Sequence, residues 1–159
     1  MTNIQIRAAR REDLRQLDEL MYQLHDHHHK ASPEFFKTAS DIEQEKSIAR
    51  YLDDPECLLY VAVVGEANII GFISGHFCEL ISTVSKPLPM GNIDEFFVVE
   101  KYRQSGVAQS LFKHIESILF DYGVQQIFVE VWAFNQVGQS FYQKMGFNPH
   151  IHWLRKSLV

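Results

Sequence analysis

Two acids stand side by side in an otherwise apolar run, Asp94 and Glu95 in "NIDEFFVV". Charge inside such a run is costly unless it is paired or solvated, so the pair is a candidate for proton transfer or for holding a cation. Consecutive strand residues point to opposite faces, so only one of them faces a substrate unless a bulge intervenes. A pair that merely flanks a sheet edge is the plainer reading. A few residues on, the run breaks at Arg103-Gln104-Ser105-Gly106 and restarts at once as a helix, with no acid until Glu116. The first amides of a helix lack partners and the macrodipole adds positive charge there, so this end suits a phosphate. Gly106 lets backbone approach closely, Ala108 keeps the next position small and Arg103 adds charge. The spacing is neither a P-loop nor a dinucleotide fingerprint, and an ordinary strand–turn–helix connection accounts for it equally well. A third feature, "HDHHHK" from His25 to Lys30, puts His25, His28 and His29 at i, i+3 and i+4. No further ligand accompanies them, so the expectation is a solvated helix end with histidines near its negative terminus and no metal.

These residues need elements to hold them. Ile4–Ala8 alternates and reads as a strand. A helix follows from about Asp13 with Leu14, Leu17, Leu20, Met21 and Leu24 on one stripe, and it must end before Pro33. A second helix is expected from Ser40 or Asp41 to about residues 53–56. "CLLYVAVV" reads as a strand buried on both faces, and "NIIGFISGHFCELI" pairs with it through the turn "GEAN". "STVSKPLPM" reads as a loop and "NIDEFFVV" as the next strand. The spacing predicts a helix from Gly106 to Tyr122, stopped by Gly123. "QQIFVEVWAF" is expected as a strand, Gln136 to Met145 as a helix ended by Gly146, and "HIHWLRKSL" as a final strand. The order β-α-α-β-β-β-α-β-α-β describes an α+β or mixed α/β domain.

At 159 residues, without repeats, low-complexity tracts or a linker, the chain reads as one domain, residues 1–159. Hydrophobic residues make up 46%, enough for a full core, and the net charge is −5. An acidic balance argues against nucleic acid as a partner and suits a cationic substrate. Cys57 and Cys78 sit in apolar surroundings without zinc spacing and are expected as buried free thiols. No signal region or membrane span is seen, so a soluble cytoplasmic protein is expected, with no membrane partner.

The stretch "VVEKYRQSGVAQSLF" resembles motif A of the GNAT N-acetyltransferase superfamily, and "NQVGQSFYQKMGF" resembles that family's motif B. One helix and one strand separate the two, as in the family. Gln104 and Glu100 depart from common choices. "DEFFVVEKYR" is similar to the acidic segment of the diamine (spermidine/spermine) acetyltransferases, which implies a role for the pair in catalysis or amine binding, with Glu95 preferred as base, directly or through water, and Asp94 second. The resemblance implies a mixed, mostly antiparallel sheet of six to seven strands flanked by about four helices and splayed between the fourth and fifth strands. It implies acetyl-CoA as co-substrate and no metal. The backbone of Val98 and Val99 would hold the acetyl carbonyl and pantetheine arm. The pyrophosphate would lie on Arg103, Gln104, Ser105, Gly106, Val107 and Ala108, with Gln109 following. Asn135 would contact the arm, and Tyr142 would meet the thioester as general acid, the alternative being a core tyrosine packed beside Phe141. Residues His25 to Phe36, with His76, Glu79 and Trp132, are candidates for the acceptor wall. The implied reaction is transfer of acetyl to a primary amine, a small polyamine or amino compound. A protein N-terminus or lysine is the alternative acceptor, and a CoA-binding regulatory module without turnover is the alternative of another class. Members of the family often dimerise, and the apolar C-terminal strand is a candidate surface for a homodimer.

Overall fold

The computed structural model describes residues 3–159. Five strands form one sheet in the order β1 (Ile4–Ala8), β2 (Cys57–Val64), β3 (Asn68–Leu80), β4 (Leu88–Val98) and β5 (Gln126–Val129). The first four are antiparallel neighbours, and β5 joins β4 in parallel. Helices α1 (Leu14–Ala31), α2 (Ala39–Glu45) and α3 (Arg50–Asp53) precede β2. Helix α4 (Val107–Asp121) links β4 to β5, and α5 (Gln136–Lys144) follows β5.

Each face of the sheet has its own core. Leu58, Ala62, Val64, Ile70, Ile73 and Ile93 pack against Val107, Leu111, Ile115 and Leu119 of α4. Leu59, Val61, Val63, Ile69, Phe72 and Phe97 pack against Leu17, Leu20 and Met21 of α1 and Tyr51 of α3. β2 therefore supplies apolar side chains to both faces, as its unbroken apolar run requires. Between α1 and β1, the Asp13 carboxylate takes two hydrogen bonds from the Arg7 guanidinium, 2.7 and 3.0 Å.

Four elements differ from the sequence reading. The expected second helix is two short ones. The Thr38 hydroxyl caps α2, and the chain turns extended at Lys46, whose side chain reaches β4. β4 starts at Leu88, inside the expected loop, because β3 runs on to Leu80 and gives Leu88 to Met90 a partner. β5 stops at Val129, where its pairing with β4 ends, so the sheet opens there between the fourth and fifth strands. The expected final strand does not form, which leaves five strands where six to seven were expected. Residues 148–159 form neither helix nor strand, with Ile151, Trp153, Leu154 and Leu158 exposed. The thiols also differ: Cys78 is exposed and Cys57 half-buried, both free. No described helix is long and apolar enough to cross a membrane.

Candidate active site

The β3–β4 ladder carries the acidic pair and explains its direction. Ser74 lies opposite Glu95, but Gly75 lies opposite Ile93, so Asp94 is an extra, unpaired residue. Such a bulge turns the side chain that follows a regular pleat onto the other face. Gly75 is needed beside it, since a Cβ there would stand 2.6 Å from the Asn92 carbonyl oxygen. Both acids consequently face α1 and α3 and converge on Tyr51. The Tyr51 hydroxyl donates to Asp94 Oδ2 at 2.7 Å and lies 3.4 Å from Glu95 Oε2. Burial, then the two carboxylates, hold the Tyr51 phenol protonated far above its usual range.

Neither acid is bare. Glu95 is 4% exposed. Its Oε2 accepts the Ser74 hydroxyl at 2.7 Å, and its Oε1 lies 2.5 Å from the Lys46 ammonium. Asp94 Oδ2 also accepts from His76 Nδ1 at 2.8 Å, and Oδ1 accepts from Asn92 at 2.7 Å. The geometry thus argues against either carboxylate as a free base. A buried acid already holding a hydroxyl and an ammonium, and an acid already holding three donors, are supports for their neighbours.

The turn before α4 fits the anion reading. Gln104 and Gly106 both adopt left-handed backbone, φ 60° and 86°. No side chain caps α4. The first amide after the turn with a backbone partner is that of Ser110, to the Gly106 carbonyl. The amides of Val107, Ala108 and Gln109 find no acceptor among the described residues. Gln104, Ser105, Gly106 and Gln109 are exposed, and a Cβ on Gly106 would meet nothing within 4 Å, so the turn opens to solvent. The Arg103 side chain is partly committed, since its Nε donates to the Val98 carbonyl at 2.8 Å. The Ser105 hydroxyl bonds back to the Tyr102 carbonyl.

At the opened edge, Val99 donates to Ile70 and accepts from Tyr102, each at 2.9 Å. Val99 is therefore engaged within the protein and does not offer the arm contact that the resemblance implies. Antiparallel residues alternate in direction, so Val98 and Phe96 aim their backbone groups at the gap left where β5 ends. Asn135 is also committed: its Oδ1 accepts from the Gly138 amide at 2.9 Å and caps α5. Tyr142, on α5, lies edge-on to Phe141 and Phe147. Burial pushes its hydroxyl up to about 12, and that hydroxyl has no protein partner among the described residues.

The wall candidates separate. Phe36, Trp132 and Phe134 come together, with ring centroids 4.7 Å apart for Phe36–Trp132 and 6.0 Å for Phe36–Phe134. His28 stacks on Phe36 at 5.3 Å. Burial, then His25 and His27, push His28 down to about 4. His28 is therefore not part of a solvated cationic tip. His29 bonds the Phe36 carbonyl, and no group of His, Cys, Asp or Glu suited to a metal occurs among the described residues. Glu79 is exposed and takes no part in the cluster.

Sequence reasoning missed Lys46, Tyr51 and Ser74. Ser74 carried a signal, a lone hydroxyl in the apolar run "NIIGFISG". Lys46 and Tyr51 carried none, because their role depends on a strand more than forty residues away.

Known proteins share this architecture. An acetyltransferase from Vibrio fischeri is 55% identical over 80% of this chain and 96% of its own, with a TM-score of 0.67. A mutant of a Bacillus halodurans protein superposes with a TM-score of 0.86 at 20% identity, covering 98% and 99% of the two chains. An aminoglycoside N-acetyltransferase in complex with CoA has a TM-score of 0.75 at 18% identity, covering 98% and 96%. At those low identities the last two speak for the fold alone. Comparison with curated proteins finds no match. The profile of the acetyltransferase (GNAT) family matches residues 21–147, so the chain belongs to the GNAT acetyltransferase family.

Proposed function

We propose that this protein is a cytoplasmic enzyme that transfers acetyl from acetyl-CoA to a primary amine, a small polyamine or amino compound. The observation that carries this reading is the open, uncapped turn Gln104–Gln109 beside the gap between β4 and β5. There, amides without an acceptor lie at an exposed turn and the Val98 amide faces the gap. A pyrophosphate suits the amides of Val107, Ala108 and Gln109, and an extended amide arm suits a free strand edge. Acetyl-CoA supplies an activated thioester carbonyl. This chain's part is to hold it, present a neutral amine to it and protonate the departing sulfur. Tyr142 is suited to the last task, because it keeps its proton at neutral pH and a thiolate accepts one readily. The aromatic wall of Phe36, Trp132 and Phe134 favours a cationic or apolar acceptor body.

Incubating the protein with acetyl-CoA and a panel of amines, peptides and proteins, with mass-spectrometric detection, tests the reading. Acetylated diamines or amino compounds support it. Acetylation of peptide N-termini or lysines alone moves the acceptor to protein. A chain that is stabilised by acetyl-CoA but acetylates nothing is a CoA-binding module.

A further inference from the structure

We infer that His76 is the base of this reaction, taking the acceptor's proton on Nε2, and that Asp94 is the residue that positions it. The assignment rests on the acetyl-transfer reading and names the group that reading lacks. The two acids are already engaged, as described. A carboxylate can only accept, so the 2.8 Å contact from His76 Nδ1 to Asp94 Oδ2 requires the ring hydrogen on Nδ1. In the neutral ring Nε2 then carries the lone pair. It has no partner among the described residues, and the His76 side chain is 37% exposed, so an acceptor can reach it. The other polar groups of the cluster are excluded by geometry. Tyr51 keeps its proton. His25 Nε2 is buried without a partner and sealed from solvent. Asp94 reaches His76 because it lies two residues on from Asn92, the register partner of His76, and shares their face.

Charged and titratable groups surround the pair from every side. Asp94 and Glu95 come from β4, and Arg50 and Tyr51 from α3. Lys46 comes from the segment after α2, His25 from α1, and Cys57, the register partner of His76, from β2. The proton balance closes. The acceptor enters as an ammonium and gives one proton to His76 Nε2, which releases it to solvent. The nitrogen pair forms the bond to the thioester carbonyl carbon, and the carbon–sulfur bond breaks with its electron pair going to sulfur. Sulfur takes the Tyr142 proton, and the nitrogen's second proton restores Tyr142 through solvent. Amide, thiol and one proton result.

The test is the pH profile of kcat/KM for the wild type, His76→Gln and Asp94→Asn, with a ¹⁵N–¹H spectrum of the imidazole rings. The wild type should lose activity toward low pH through one inflection. His76→Gln should lower kcat/KM about 10²-fold and abolish that inflection, leaving a steady rise toward the acceptor's own pKa near about 10. Asp94→Asn should lower kcat/KM and populate the ring tautomer with its hydrogen on Nε2, because the carboxylate that holds the Nδ1 hydrogen is gone. Both variants should keep the wild-type stabilisation by acetyl-CoA, which separates loss of the base from loss of the fold. A His76→Gln enzyme with the wild-type inflection overturns the assignment. So does an Asp94→Asn enzyme with the wild-type kcat/KM and ring tautomer, or a neutral wild-type His76 ring bearing its hydrogen on Nε2, which is read without turnover. A wild type inert toward every amine overturns the acetyl-transfer reading itself, whereas a turning-over enzyme indifferent to His76 overturns only this inference.

Discussion

Single side chains in this site are defined by what they already hold. Tyr142 holds nothing, and its hydroxyl is kept protonated by burial. Tyr142→Phe removes only the oxygen, so the ring contacts with Phe141 and Phe147 persist. kcat should fall about 10²-fold, the usual effect of a lost acid, with acetyl-CoA affinity little changed in a titration. Turnover near wild type would assign the proton to solvent. His28 makes a stability statement. Its folded pKa is depressed to about 4, from 6.5 in an unfolded chain, so the unfolded state binds more protons in between. The contribution is complete above 6.5 and is lost as pH falls toward 4. Over that window wild-type stability should drop by about 1–3 kcal/mol from this group, allowing for its partial exposure. Urea melts of His28→Gln, which does not titrate there, should show a correspondingly shallower pH dependence.

The elements set up these residues by where they stop and where they kink. Helix α4 begins at an uncapped turn whose Gly106 sits at φ 86° with open space around it. Gly106→Ala should cost about 1 kcal/mol, the strain of left-handed backbone on an L residue, and leave acetyl-CoA binding detectable. Gly106→Glu has the same room at its Cβ, but it puts a carboxylate where the pyrophosphate would lie. The rise in melting temperature with acetyl-CoA, expected because the ligand binds only the folded chain, should vanish in that variant. A full shift in Gly106→Glu would mean the turn holds no phosphate. In β4 the bulge lets both acids share the α3 face, Asp94 beside the Asn92–His76 pair and Glu95 beside Ser74. The break between α2 and α3 likewise frees Lys46 to reach Glu95.

At the scale of the molecule, the chain carries −5 and a wall of partly exposed aromatic rings. Both attract cations. Against this, Lys46 already neutralises Glu95, so the local field at the acceptor is weaker than two bare acids would make it. Putrescine or spermidine should still outcompete an amino acid with a free carboxylate at low salt, with the preference shrinking as ionic strength rises. Steady-state competition at two salt concentrations measures this. A preference for the acidic amine at low salt would sink the polyamine acceptor and leave acetyl transfer standing.

The sequence alone determined the elements whose signal is local. The apolar periods of α1 and α4, the unbroken run of β2, and the stops at Gly123 and Gly146, both left-handed, all follow from spacing along the chain. So does the open, uncapped turn before α4, because its unpaired amides belong to the turn itself. The tertiary structure decided whatever depends on a partner. Whether Asp94 and Glu95 share a face is set by a register shift against β3, which no period within β4 records. That Glu95 is clamped and Asp94 saturated depends on Ser74, Lys46, Tyr51 and His76, each brought in from elsewhere in the chain. The apolar tail reads as a strand by its composition, yet a strand exists only against an edge that pairs with it, and residues 148–159 have none here. Hydrophobic period is a property of one segment. Hydrogen-bond pairing and the burial of charge are properties of two, and the candidate site is built from the second kind.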